Sequence, residues 1–260
     1  MNLVKSFIFL LCFLAILPVS AEEGFPGREK FPDVPYISME DFYKGYKKNK
    51  YLVVDVRSKF EYEVIKIINS VNIPVADDDF ETNIQALAAK TSKPIVFYCN
   101  GRRCMKSFNA VVKSKLSNAI AYDAGIFEWA EAYPEEAELL GESPVDPKKL
   151  ISSKKFKQHF VTLKQFEQMI PGAVLIDVRD QTQRRGNGLF LLADKSAPLD
   201  KTRKLERYLN KAIKEDKILL AYDQAGKTVR WLQYQLEKKG IKNYYFMEGG
   251  ARYYNYTGTH

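Results

Sequence analysis

Histidine and cysteine are scarce in this chain of 260 residues, with two of the first and three of the second. The histidines, His159 and His260, lack metal-ligand spacing, and neither adjoins a cysteine as a general base. Metal and triad mechanisms are therefore disfavoured, and no metal or cofactor is expected. His159 sits in a polar run and is expected to face solvent. Three cysteines are too few for the disulfide framework of a small exported domain. Long apolar runs are also lacking: only Phe7 to Leu17 qualifies, and about a dozen residues are too few to span a bilayer comfortably.

What is present describes a well-folded protein. Hydrophobic residues make up 46% and charged residues 28%, enough for two ordinary domains with real cores and too apolar for wholesale disorder. The formal net charge of +8 favours anionic partners in general. Nucleic acid is not expected, because the basic residues are scattered and no zinc-finger spacing or RNA-binding signature appears.

The N-terminus reads as a processing segment. Lys5 supplies a positive start, Phe7 to Leu17 the apolar stretch, and Val19-Ser20-Ala21 a small-x-small cleavage pattern. Residues 1–21 are expected to be a signal peptide cut after Ala21, giving a periplasmic or secreted protein with no stable membrane insertion. Cleavage would remove Cys12 and leave Cys99 and Cys104.

The chain repeats itself. Tyr51–Arg57 (YLVVDVR) is echoed by Ala173–Arg179 (AVLIDVR), Ile95–Gly101 by Ile218–Gly226, and Tyr122–Ile126 by Met247–Ala251. The offsets are 122 residues from Asp55 to Asp177, 124 from Cys99 to Asp223 and 124 from Gly125 to Gly249. A period this long fits a duplicated domain, not a solenoid. A stretch rich in proline and charge, Gly141 to Lys149, falls between the copies. Domains are expected at 33–142 and 152–258, with a linker at 143–151.

Each half alternates strand and helix. Short, nearly continuous apolar runs at Leu52–Val56, Ile95–Tyr98, Val174–Val178 and Ile218–Tyr222 read as strands buried on both faces. Met105–Leu116 and Val229–Lys239 read as helices, the second closed by Gly240. The expectation is an α/β fold with a mostly parallel sheet covered on both faces, and reactive loops at the carboxyl ends of its strands.

One such loop carries chemistry. Cys99-Asn100-Gly101-Arg102-Arg103-Cys104 follows a buried strand and precedes a helix. Backbone N–H groups at a helix start and the helix dipole favour negative charge there, and Gly101 permits the turn of a tight cradle. Arg102, Arg103 and Lys106 add positive potential. All of these favour a thiolate over a thiol.

At these residues the chain resembles the rhodanese family. The first half has Asp55-Val-Arg57, Glu61-Tyr62, Ser70-Val-Asn-Ile-Pro74, the Tyr98-Cys99 loop, and Ala124-Gly-Ile126 with Trp129, in family order. The second has Asp177-Val-Arg179, Ser196-Ala-Pro198, Gly226, Glu248-Gly-Gly250 and Tyr253. The resemblance implies two tandem rhodanese-like domains, each built on a five-stranded mostly parallel sheet flanked by helices. It implies sulfur transfer from thiosulfate or polysulfide to a thiol acceptor through a Cys99 persulfide. The backbone from Asn100 to Cys104 would cradle the anion, Arg102 and Arg103 would attract the donor, and Asp55 and Arg57 would support the loop.

The sequence also departs from the family pattern. The common loop is Cys-x-x-Gly-x-Arg-Ser, whereas here glycine comes one residue early, Ser107 two residues late, and a second cysteine enters as a candidate resolving thiol. Ile65-Lys66 stands where Gly-His is usual. In the second half Asp223 holds the nucleophile position and cannot form a persulfide; it reads as a helix cap. Phosphatase or arsenate-reductase chemistry would need a Cys-x5-Arg loop, and residue 105 is Met. Two further readings stay open: thiol–disulfide chemistry between Cys99 and Cys104 with a protein reductase as partner, and a non-catalytic sulfur carrier or binding protein. The C-terminal aromatics Tyr244, Tyr245, Phe246, Tyr253, Tyr254 and Tyr256 are expected in core and interdomain packing.

Overall fold

The computed structural model describes residues 24–184, 188–190 and 193–257. The expected leader at 1–21 and His260 lie outside them. Among the described residues no helix is long and apolar enough to cross a membrane.

In the first half the order is α1 (Pro26–Lys30), β1 (Tyr36–Ile37), α2 (Met39–Lys47), β2 (Leu52–Asp55), α3 (Lys59–Val64), β3 (Ile65–Ile67), β4 (Val71–Asn72), α4 (Phe80–Ala88), β5 (Ile95–Tyr98), α5 (Lys106–Ser114), β6 (Ala119–Tyr122), α6 (Gly125–Ala132) and β7 (Ala137–Leu139). In the second it is α7 (Ser153–Lys157), β8 (Phe160–Val161), α8 (Leu163–Met169), β9 (Val174–Asp177), α9 (Gln181–Arg184), β10 (Lys195–Ser196), α10 (Thr202–Lys214), β11 (Leu219–Tyr222), α11 (Val229–Lys238), β12 (Tyr244–Met247) and α12 (Gly250–Thr257).

Two five-stranded sheets result, ordered β1-β6-β5-β2-β4 and β8-β12-β11-β9-β10. Element by element these are the same arrangement, so the repeated motifs occupy equivalent places. Every pairing within both sheets is parallel, so the expected α/β architecture is formed without the antiparallel strand that "mostly" allowed. The first half adds an antiparallel ribbon of β3 and β7. The apolar runs form strands because helices bury both of their faces. Val53, Val96 and Tyr122 share a cluster with Phe42 of α2 and Ile126 and Trp129 of α6. The alternate positions Val54, Ile95, Phe97 and Ala121 pack with Phe80 and Ile84 of α4 and Phe108 of α5.

The halves join through faces that are not equivalent. One buried apolar cluster runs from the α2/α6 side of the first sheet to Leu205 and Leu209 of α10 and Trp231, Tyr234 and Leu236 of α11. At the seam Phe127 stacks on Trp231 with ring centroids 5.5 Å apart. The stretch 143–151 is packed into this seam: Val145 and Ile151 are buried, and the Tyr234 hydroxyl accepts from the Ile151 amide at 2.9 Å. Helix α1, ahead of residue 33, packs on the first half, Arg28 Nε donating to Asp123 at 2.6 Å and Phe31 stacking on Phe108 at 5.8 Å.

Two expectations are corrected. His159 does not face solvent; it is half-buried, its ring stacked 4.0 Å from that of Tyr244 and its Nδ1 3.2 Å from the Tyr244 carbonyl oxygen. A flat ring beside an aromatic strand residue gains contact that a polar neighbourhood in sequence does not reveal. Of the C-terminal aromatics, Tyr244 and Phe246 are core residues, but Tyr253 is 47% exposed. The interdomain aromatic contact comes instead from Phe127 and Trp231.

Candidate functional site

Parallel pairing brings the site together. Asp55 ends β2 directly beside Tyr98, which ends β5, so the chains leaving both strands emerge side by side at the carboxyl edge of the sheet. Cys99 follows β5 and is 1% exposed. The start of α6 grips the loop: the Ile126 amide donates to the Cys99 carbonyl at 2.9 Å and the Phe127 amide to that of Asn100 at 3.4 Å. Gly125 makes this approach possible. Its φ is +79°, and a Cβ there would lie 2.6 Å from the Gly101 Cα and closer still to the Gly101 nitrogen. Only glycine fits.

The loop then turns back. The Cys104 amide donates to the Gly101 carbonyl at 2.8 Å, closing a four-residue turn over Gly101 to Cys104. This returns Cys104 to Cys99, and the two form a disulfide with Cα atoms 6.3 Å apart, within the usual span. The buried Ser107 hydroxyl lies 3.8 Å from Cys99 Sγ. Helix α5 begins at Lys106 with no side-chain cap on its first amides. The nine-residue helix therefore directs its positive dipole end at the cysteine pair.

Asp55 and Arg57 are fully buried and paired, Arg57 Nη2 donating to Asp55 Oδ2 at 2.6 Å and Nε to Oδ1 at 2.9 Å. Burial opposes the charge on Arg57, but Asp55 outweighs it and the guanidinium pKa is raised. Nη1 of Arg57 donates to Asn100 Oδ1 at 3.2 Å, and Asn100 Nδ2 donates to Glu61 Oε1 at 3.1 Å. Glu61 Oε2 accepts from the Ser58 amide and hydroxyl, closing a capping box on α3, with Lys106 Nζ at 3.7 Å. Burial alone would raise the Glu61 carboxyl; Lys106, Arg57, Asn100 and Ser58 together hold it below its usual value.

The cations are more compensated than the sequence implies. Arg102 makes a two-pronged pair with Glu128 of α6 at 2.7 and 2.9 Å, and Lys106 faces Glu61. Arg103 is exposed. Sequence reasoning gave no role to Glu61, although Ser58-x-x-Glu61 is a readable capping box. Glu128 and Trp231 carried no local signal, since they meet the site across 26 and more than a hundred residues of chain.

The second half shows what the same loop becomes without cysteine. Ala251 and Arg252 amides donate to the Asp223 and Gln224 carbonyls, matching Ile126 and Phe127 in the first half. Asp223 thus stands where Cys99 does, and its carboxylate accepts from the amides of Ala225, Gly226, Thr228 and Val229. The equivalent of Gly125 is Gly250, not Gly249: its φ is +62° and a Cβ there would lie 2.6 Å from the Asp223 carbonyl oxygen. Among the described residues no cluster of His, Cys, Asp and Glu could hold a metal ion.

Residues 38–132, containing Cys99 and the whole network around it, match the family model described as Rhodanese-like domain. No curated protein matches the chain. Among solved structures, the human single-domain sulfurtransferase is 25% identical over 38% of this chain and 96% of its own, with a TM-score of 0.32. A Bacillus halodurans protein is 23% identical over 48% of this chain and 89% of its own, TM-score 0.36. A thiosulfate sulfurtransferase from Pseudomonas aeruginosa is 16% identical, covering 88% of this chain and 47% of its own, TM-score 0.34.

Proposed function

We propose that the chain is a sulfurtransferase in which Cys99 takes sulfane sulfur from thiosulfate or a polysulfide and passes it to a thiol acceptor. The observation that carries this reading is the position of Cys99: it follows the central strand β5, under the uncapped N-terminus of the nine-residue α5, within a rhodanese-like domain. A thiolate there attacks the outer sulfur of the donor. A new S–S bond forms on Cys99, the donor S–S bond breaks, and sulfite or a shortened polysulfide leaves with the electron pair. The Asn100–Glu61–Arg57 network holds the loop rigid while the sulfur is exchanged.

The second half contributes no sulfur centre, because Asp223 is a carboxylate already saturated by four amides. Its role is to complete the fold around α6 through Trp231. The N-terminal pattern supports export, and an oxidising compartment suits a site whose cysteines are paired.

The test is intact mass after reduction and exposure to thiosulfate or polysulfide. With Cys104 replaced by serine, so that no second thiol can discharge it, the chain should gain about 32 Da, the mass of one sulfur, on Cys99. Cys99→Ser should gain nothing. An adduct that persists in Cys99→Ser would overturn the reading.

A further inference from the structure

We infer that Cys104 is a resolving cysteine, which discharges the Cys99 persulfide as sulfide and makes the site a sulfane-sulfur reductase served by an external dithiol. This rests on the reading of Cys99 as the sulfur-accepting thiol. It adds a product, a second catalytic residue and a class of partner.

Three features point to it. The first is reach: the Gly101–Cys104 turn places Cys104 against Cys99 Sγ itself, as their disulfide shows. The second is fixation. The Arg102–Glu128 pair fastens the turn to α6, and α6 in turn holds the Cys99 and Asn100 carbonyls. A thiol held in this way reacts as an intramolecular partner, ahead of any dissolved thiol at ordinary concentration. The third is unequal access: Cys99 is 1% exposed, whereas Cys104 is only partly buried. An incoming acceptor therefore meets Cys104 before Cys99.

The step balances without an added oxidant. Cys99 carries Sγ–SH after sulfur acceptance. The Cys104 thiolate attacks Cys99 Sγ, a Sγ–Sγ bond forms, the bond to the outer sulfur breaks, and HS⁻ leaves with the electron pair. The sulfane sulfur is reduced by two electrons, and the two cysteines are oxidised to the disulfide. A dithiol then attacks the more accessible sulfur, that of Cys104. Cys99 leaves as a thiolate at the positive end of α5, where it is stabilised. The dithiol's second thiol closes its own disulfide and frees Cys104.

The experiment uses the full chain carrying Cys12→Ser, so that the pair holds the only thiols, with and without Cys104→Ser. Each form is reduced, freed of reductant, given one equivalent of inorganic polysulfide and separated from excess. Sulfide and intact mass are then followed with no thiol added. The parent form should release about one equivalent of sulfide per chain and end as the disulfide, roughly 100-fold faster than the Cys104→Ser form, which should hold its adduct. If the parent keeps the adduct, or Cys104→Ser discharges as quickly, the resolving role is overturned while sulfur acceptance at Cys99 stands. If Cys104→Ser takes up no sulfur at all, the reading of Cys99 itself fails, and this one with it.

Discussion

Asp223 occupies in the second half the place that Cys99 holds in the first, and its carboxylate fills the amide cradle from within. A buried anion that accepts four amides at the head of a helix is a structural keystone. Asp223→Ala should therefore cost about 1–2 kcal/mol or somewhat more, the range for a lost N-cap, while Asp223→Asn, which keeps one acceptor oxygen, should cost less. Urea unfolding measures both. The proposed sulfur uptake by reduced Cys99, followed in a Cys104→Ser background, should be unchanged in each, and its loss would show that the second loop takes part in that uptake.

Gly125 and Gly141 separate backbone strain from collision. Both have positive φ, +79° and +85°, but a Cβ at Gly141 meets nothing within 4 Å, whereas at Gly125 it runs into the Gly101 backbone. Gly141→Ala should cost only about 1 kcal/mol, the price of the left-handed conformation. Gly125→Ala should cost several times as much or displace the Cys99 loop. Denaturant midpoints for the two variants, with thiol-reactivity of reduced Cys99 as a second readout, test this; equal costs would mean the loop yields freely.

Phe127 and Trp231 tie the halves together, and the Arg57 guanidinium lies 5.4 Å from the Trp231 ring. Truncating Trp231, which is buried, should destabilise the chain by about 3 kcal/mol or more, and truncating the partly buried Phe127 should cost less. Because the rings touch, the double mutant should be less destabilised than the sum by about 1 kcal/mol. Strict additivity in thermal or urea unfolding would show that the stack contributes only its separate burial.

The doubled α/β fold was legible because burial on both faces writes itself into near-continuous runs such as Ile95–Tyr98 and Leu219–Tyr222, whose strand and register positions then match. The loop was legible because strand, cysteine and helix are adjacent in sequence. What sequence did not show depends on long-range packing. Arg102 reads as a cation for an anionic donor, yet Glu128 faces it only because α6 folds back onto the loop. The pairing of Gly125 with Gly249 by spacing slipped one residue, because two glycines stand side by side and only the contact with Asp223 distinguishes them. His159 looked solvent-facing because Tyr244, its stacking partner, arrives 85 residues later.

Glu61 makes the loop support sensitive to acid. Burial raises its carboxyl, but Lys106, Arg57, Asn100 and Ser58 outweigh that and lower it below the ordinary 4.5. A carboxyl lowered on folding stabilises the native state above its unfolded value, and that contribution is lost as pH falls through the lower, folded value. Glu61→Gln keeps much of the shape and abolishes the titration. Wild type should therefore exceed Glu61→Gln in stability by about 1–3 kcal/mol at pH 7, the range for a buried charged hydrogen-bonded group. The gap should hold down to about pH 4.5 and narrow below it. Urea unfolding of both proteins between pH 7 and about pH 3 reads the gap directly, across the carboxylate range. A gap that stayed constant to the acid end would mean that Glu61 ionisation is not coupled to folding, and that the bridge from Arg57 through Asn100 stands without its charge.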